Sequence, residues 1–244
     1  MKSFISLEEA INILNDNVEH LDVEEVNLID GINRVLATNI YSTIDNPPFD
    51  KSAMDGYAVI AEDSKLKDKI KVIDKVFAGE VCSSEVISKT AVRIMTGAPI
   101  PVGATAVIKQ EDITLIEDNF IILNKSIKDN ENICFKGEDI SKGTLLVSKG
   151  KKLDFADIGI ISSAGIDKIK VYKLPKIALI STGDEVIDID NTLTPGKIFN
   201  SNKYSIISRI KELGYDIKYT THVKDCESNI EEYVNKFSND MDLI

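Results

Sequence analysis

Histidine is scarce in this 244-residue chain: it has His20 and His222 only, and neither stands beside a cysteine or near the other. That argues against a zinc site or a Cys/His nucleophile pair and leaves each histidine to be read as a surface or packing residue. The three cysteines, Cys82, Cys134 and Cys226, are odd in number and far apart, so they form neither a disulfide framework nor a CxxC site. Such usage suits a reducing compartment. No stretch approaches the roughly 18 apolar residues of a membrane span. Acidic residues also interrupt the N-terminal MKSFISLEEAINIL, where a signal peptide needs an unbroken apolar run. The expectation is a cytoplasmic protein. A Walker A loop, a G-x-G-x-x-G loop and internal repeats are all missing. Positive charge is short too: the formal net charge of −11 argues against bulk attraction to nucleic acid or an anionic membrane. Any anionic ligand has to be held by local groups.

At 43% hydrophobic and 28% charged, the chain has the composition of an ordinary folded protein. Ser6-Leu7-Glu8-Glu9 forms a capping box, and Leu7, Ala10, Ile11 and Leu14 follow at helical spacing, so a first helix is predicted over 7–17. A short strand is predicted over 24–29. From Tyr57 to about Asn132 the pattern changes to short apolar stretches, YAVIA, IKVIDKVFAG, AVRIMTG, TAVIKQ, ITLI and FIIL, separated by turn residues. Glu117-Asp118-Asn119 reads as a hairpin loop between the last two. This is the signature of a small all-β unit that closes into a barrel or sandwich.

Helical signals return after Asp154, a predicted N-cap, and stop at Gly165. Strands KIKVYKL and KIALIS follow, then a helix with Asn202 as its expected N-cap and Gly214 at its end. A strand in YDIKYTTHV, a further helix and a final apolar Met241-Asp242-Leu243-Ile244 complete a strand, helix, strand, helix, strand series, which predicts a parallel α/β sheet. The third strand only begins, so the sheet reads as unfinished.

Polar islands stand at strand ends throughout. The stretch FDKSAMDGYAV (49–59) follows the rigid Asn46-Pro47-Pro48, and RIMTGAPIP (93–101), GEDI (137–140), STGDE (181–185) and NSN (200–202) repeat the habit. Each island alone is compatible with ordinary turn chemistry. STGDE, however, lies after the first strand of a parallel series, where open α/β sheets bind ligands. NSN lies at a helix N-terminus, where free N–H groups favour an anion.

Taken together, SAMDGYA (52–58), AVRIMTGAPIPVGATAVI (91–108), GEDISKGTLL (137–146), STGDEV (181–186) and NSNKY (200–204) resemble, in order and spacing, the molybdopterin molybdenumtransferase family, which includes bacterial MoeA and the gephyrin E domain. The resemblance extends over essentially the whole chain. It implies an enzyme of molybdenum cofactor biosynthesis that inserts molybdate into adenylylated molybdopterin with Mg²⁺ and releases AMP. It also implies a multidomain α+β and α/β fold. A discontinuous linker domain would span 1–46 and 139–173, an inserted barrel-like β domain 47–138, and an incomplete molybdopterin-binding α/β domain 174–244. A homodimer is implied, with the active site between the α/β domain of one subunit and the inserted domain of the other. The molybdopterin adenylyltransferase upstream in the pathway is a further partner to expect, with no role for nucleic acid or membrane.

Carried over to matching positions, the resemblance makes Asp55, Thr96, Asp139, Glu185 and Asp225 the catalytic candidates, with Glu185 and Asp225 also holding the metal. It makes Ser52, Ser181, Thr182, Gly183, Asp184, Ser201 and Asn202 the substrate-binding set. So many acids beside an anionic substrate make chemical sense only with a cation, because Mg²⁺ takes one or two carboxylates plus phosphate oxygens and reverses the sign of the interaction. Thr96 and Ser181 are expected to donate to oxyanions. The chain departs from the family where Lys51 replaces Asn, where Thr105 and Asn200 replace Asp, and where Ile133-Cys134-Phe135 lacks an Arg that Lys136 is near enough to replace in part. Family members continue past DLI with a Gly/Ser-rich loop, a further acid and a last domain. The chain is therefore expected to be C-terminally truncated and unable to complete the reaction alone. Two other readings stay open: a non-catalytic scaffold of gephyrin type, which would need none of the retained acids, and an adenylyltransferase-like binder, which would share only the last domain.

Overall fold

Residues 4–116 and 119–244 are described in a computed structural model of the chain. Helix α1 (Leu7–Asn17) starts where the capping box predicts: Ser6 Oγ accepts from the Glu9 amide at 3.1 Å and Glu9 Oε2 accepts from the Ser6 amide at 3.0 Å. None of its residues is buried, so Leu7, Ile11 and Leu14 present an exposed apolar face. Strand β1 (Val23–Asn27) ends before the predicted 29, because Leu28–Gly31 tightens into a 3₁₀ turn. Gly31 packs closely there, and a Cβ would lie 2.4 Å from the tip of the Ile169 side chain, which would have to move. Two short strands follow, β2 (Ile40–Tyr41) and β3 (Lys51–Ser52).

The chain divides into two compact units, one comprising the chain up to Asn39, Ser148–Ile158 and Asp167–Ile244, the other Ile40–Val147 and Gly159–Ile166. The second unit is built on a six-stranded mixed sheet. Its strands are β4 (Gly56–Val59), β5 (Ile70–Val76), β6 (Thr90–Ile94), β7 (Ala106–Lys109), β8 (Ile113–Ile116) and β9 (Phe120–Leu123), in the order β7-β4-β6-β5-β9-β8. Each of the six apolar stretches picked out by period becomes one strand. Glu117 and Asp118 of the expected hairpin loop lie outside the described residues, while Asn119 has a positive φ of 63° that suits a turn. Side chains alternate between two apolar clusters: Tyr57, Val59, Ile108 and Ile121 belong to one, Ala58, Val92, Ile94 and Val107 to the other. Both faces are therefore covered, and β4 is buried at all four positions. Burying each large side chain of this kind contributes about 1.5–3 kcal/mol. Short strands β10 (Ile133–Cys134) and β11 (Leu145–Val147) pair antiparallel with β3 and β2.

Helix α2 (Phe155–Ser163) begins at Asp154, whose Oδ1 accepts from the Ala156 and Asp157 amides at 2.8 and 3.0 Å. Asp157 returns the bond by accepting from the Asp154 amide. Gly165, at φ 73°, stands just beyond the end of the helix, as predicted. In the first unit β12 (Lys168–Tyr172) pairs antiparallel with β1.

The remaining elements are β13 (Ile177–Thr182), β14 (Val186–Ile187), β15 (Ile198–Phe199), α3 (Ser201–Glu212), β16 (Ile217–Val223) and α4 (Glu227–Ser238). Strand β13 runs parallel to β16, and Leu243 adds a parallel bridge to Ile177, placing β13 in the middle. This is the predicted parallel α/β pattern. Tyr219 of β16 stacks on Phe237 of α4 at 5.3 Å, which docks that helix on the sheet. The N-cap of α3 is Asn200 rather than the expected Asn202: Asn200 Oδ1 accepts from the Lys203 amide at 3.0 Å, and Asn202 lies inside the first turn.

A glycine in the SAMDGYA stretch proves structural. Gly56 lies between β6 and β7, and a Cβ there would fall 1.9 Å from the Ile108 carbonyl oxygen. The neighbour is backbone, which cannot rotate away. Gly56→Ala is expected to destabilise the chain by about 3 kcal/mol, at the upper end of overpacking costs. Gly143→Ala, with open space around it but φ 89°, should cost about 1 kcal/mol. Urea unfolding of the two variants measures the difference.

Candidate functional site

In the second unit the SAMDGYA and RIMTGA stretches meet. Asp55 Oδ1 accepts from both the amide and the hydroxyl of Thr96, at 2.8 and 2.7 Å. Those two bonds, with help from the charge of Arg93, hold the Asp55 carboxyl below its ordinary range. Thr96 was expected to donate to a ligand oxyanion, but both of its donors are engaged by Asp55. The second carboxylate oxygen, Oδ2, accepts no hydrogen bond from the described residues. Ser52 is 1% exposed and its hydroxyl donates to the Met54 carbonyl at 2.6 Å, so it shapes the turn that leads to Asp55. Asp139 is exposed, and its amide donates to the Asn46 carbonyl at 3.1 Å. Lys136, near the missing arginine, places its ammonium 3.4 Å from Asp45.

In the first unit the carboxyl end of β13 opens into a cleft of about 300 Å³ lined by Ser181, Thr182, Asn200, Ser201, Asn202 and Lys203, among others. Asn200 is 5% exposed and joins the two sides: its Nδ2 donates to Ser181 Oγ at 2.9 Å while its Oδ1 caps α3. Lys203 is paired with Asp188, which also accepts from the Tyr204 hydroxyl at 2.5 Å. Lys203 and Tyr204 together draw the Asp188 carboxyl down to about 2, and the same carboxylate pushes the Tyr204 phenol up to about 12. The segment between β14 and β15 is thereby tied to α3.

Gly183 follows, at φ 133°, where a Cβ would meet Val186 at 2.7 Å. Asp184 holds Lys197 by its carbonyl at 2.6 Å, and Glu185 accepts from the Ile198 amide at 2.9 Å. Asp225 comes two residues after β16, so it and Glu185 lie beyond the carboxyl ends of neighbouring parallel strands. Among the described residues no group of three or more His, Cys, Asp or Glu side chains is placed to hold a metal.

One residue overlooked in the sequence stands in the middle of this region. His222 was read as a surface or packing residue, yet its Nδ1 lies 3.1 Å from Ser181 Oγ and its Nε2 3.0 Å from the Gly183 carbonyl. Only parallel pairing of β13 with β16 puts position 222 beside 181, and a lone histidine 41 residues away gives no sign of it. His20, by contrast, stacks on Tyr172 at 4.9 Å, a packing role.

A family model described as MoeA N-terminal region (domain I and II) matches residues 5–165, and one described as a probable molybdopterin binding domain matches 178–244. The chain belongs to the MoeA family. It is 37% identical over 221 residues to a molybdopterin molybdenumtransferase of Haemophilus influenzae, covering 91% of this chain and 55% of that protein. A Staphylococcus epidermidis protein of the same name is 36% identical, with 98% and 58% covered. The chain thus spans somewhat more than half the length of these relatives. A crystal structure of the Pyrococcus horikoshii MoeA protein matches with a TM-score of 0.88 at 33% identity, over 99% of this chain and 66% of that one. The fold is accordingly the multidomain α+β and α/β arrangement of MoeA, and no helix among the described residues is long and apolar enough to cross a membrane.

The first MoeA match contains Asp55 and Thr96, and the second contains the β13 cleft. Next to Lys203 of that cleft, the Asp188–Tyr204 bond gives a direct readout. Tyr204 is raised above the ordinary tyrosine value, so the bond contributes stability below about pH 10 and loses it as pH rises through about 12. In Asp188→Asn, ultraviolet difference titration should show one tyrosine moving down toward the ordinary range. An unchanged tyrosine titration would refute the pairing.

Proposed function

We propose that this MoeA-family chain belongs to an enzyme that inserts molybdate into adenylylated molybdopterin and releases AMP. The observation that carries the reading is the β13 cleft, with an apolar side and a polar side bordered by a helix N-terminus, in a chain whose relatives bear the name molybdopterin molybdenumtransferase. The first-turn residues Ser201 and Asn202 offer amides and hydrogen-bonding side chains where the α3 dipole favours an anion, and Thr182 adds a hydroxyl from the strand end. A phosphate of the substrate suits that corner.

The acids complement the amides. Glu185 and Asp225 are hard oxygen donors beyond adjacent strand ends, a set that fits Mg²⁺ with one or two carboxylates and the rest of its shell from water and phosphate. Bound there, the ion would neutralise phosphate charge. Asp184 adds a further carboxylate to that turn, and Asp55, oriented by Thr96, presents its free oxygen as an acceptor. Asp139 we assign to the same surface as Asp55 by family position.

The same reading includes a cytoplasmic homodimer and a handover from the upstream adenylyltransferase. The exposed Leu7, Ile11 and Leu14 of α1 supply an apolar face of the kind that subunit contacts cover. Light scattering on the full-length protein should return twice the subunit mass, and a strict monomer at high micromolar concentration would exclude the shared site. For the chemistry, Asp55→Asn keeps the oxygen that accepts from Thr96 and removes only the charge. Its melting temperature is expected to stay within a few degrees of wild type while molybdenum insertion at limiting molybdate is mostly lost in the full-length enzyme. Wild-type insertion by that variant would return Asp55 to a purely structural role.

A further inference from the structure

Both ring nitrogens of His222 are engaged, and the direction of each bond follows from fixed ends. The Gly183 carbonyl can only accept, so Nε2, 3.0 Å away, carries a proton. At the far end the Lys203 amide can only donate, to Asn200 Oδ1, so Asn200 turns Nδ2 toward Ser181 Oγ at 2.9 Å. Ser181 then has one proton to give, and His222 Nδ1 at 3.1 Å is nearer than the Thr221 carbonyl at 3.3 Å. A neutral imidazole protonated at Nε2 closes the series from Lys203 through Asn200, Ser181 and His222 to Gly183 with every donor facing an acceptor.

The turn that receives this series has its carbonyls occupied. Gly183 O accepts from His222 and from the Val186 amide at 3.2 Å, Asp184 O from Lys197, and Glu185 O from the Ile198 amide. The amides of Asp184 and Glu185 donate to none of the described residues. A trans peptide is planar, so fixing the Gly183 carbonyl on His222 turns the Asp184 N–H the opposite way. Consecutive free amides of this kind suit an oxyanion.

We propose that His222 is a positioning residue, matched to Asn200, that holds the Gly183–Glu185 turn so that the Asp184 and Glu185 amides, rather than their carbonyls, are left free to meet a substrate oxyanion beyond the carboxyl end of β13. The match to Asn200 is chemical. An aspartate there would accept from both Lys203 and Ser181, the serine proton would turn to it, and Nδ1 would be left facing a lone pair. The hydrogen-bond series stands on geometry alone, while the identity of the anion rests on the proposed function.

With only two histidines in the chain, ¹⁵N-histidine labelling gives two sets of ring resonances, and His222→Gln assigns them. Wild-type His222 is expected as the Nε2–H tautomer that its two bonds call for. Asn200→Asp is expected to change this ring-nitrogen pattern under the same conditions, because the serine proton turns away from Nδ1. A wild-type Nδ1–H tautomer, or a pattern unmoved by Asn200→Asp, would overturn the hydrogen-bond series and leave the functional reading standing. Inorganic phosphate, titrated against the Asp184 and Glu185 amide resonances, tests the consequence. His222→Leu should weaken its binding about tenfold, the worth of one ordering hydrogen bond, while His222→Gln stays within about threefold of wild type. Equal affinity in wild type and His222→Leu would overturn the positioning role. Amides that ignore phosphate in the wild type would overturn the oxyanion assignment, whatever the tautomer.

Discussion

Three backbones come together at Gly56 so closely that no side chain fits between β4 and the Ile108 carbonyl, and much of the second unit depends on that approach. It lets β4 bond to β6 on one side and β7 on the other while all four of its residues are buried. Because β6 is held tightly against β4, its last residue, Ile94, pairs with Gly56, and Thr96 two residues further on comes within bonding reach of Asp55. The Asp55–Thr96 pair is therefore a consequence of strand register rather than of local turn preference. A looser approach would shift that register and separate the two.

The first unit solves the same positioning problem with side chains. Parallel pairing of β13 with β16 sets Ser181 beside His222, and the buried Asn200 carries the connection on to the first turn of α3. A continuous series of hydrogen bonds in a partly covered site resists distortion at any one link, since leaving a donor or acceptor unmet costs about 1–3 kcal/mol. The turn that follows β13 is thus held from three directions, by His222, by Lys197 and by the β14–β15 pair.

Charge is managed locally. The chain is strongly acidic overall, and two lysines near the candidate surfaces are paired within the protein, Lys203 with Asp188 and Lys136 with Asp45. At the β13 cleft, backbone amides, the α3 N-terminus and hydroxyls are available to meet an anion, groups that select for geometry more than for charge. Under the proposed function, the carboxylates of Glu185 and Asp225 suit a bound cation rather than direct contact with phosphate.

Helix starts, the six strands of the inserted sheet and the parallel pattern after residue 174 could be read from the sequence alone. Each rests on near neighbours: the Ser6 and Asp154 caps act within three residues, and the alternation in β4–β9 has a period of two. Five polar islands in order were enough to indicate the MoeA family, because a motif survives in the primary structure without its contacts. The link from Asn200 to Ser181, the engagement of Thr96 by Asp55 and the place of His222 were decided only by the tertiary structure. Those bonds join residues 19 to 41 positions apart, across strands whose register is set by packing on both faces of a sheet. No local pattern encodes which residue lies opposite another once the chain has turned back.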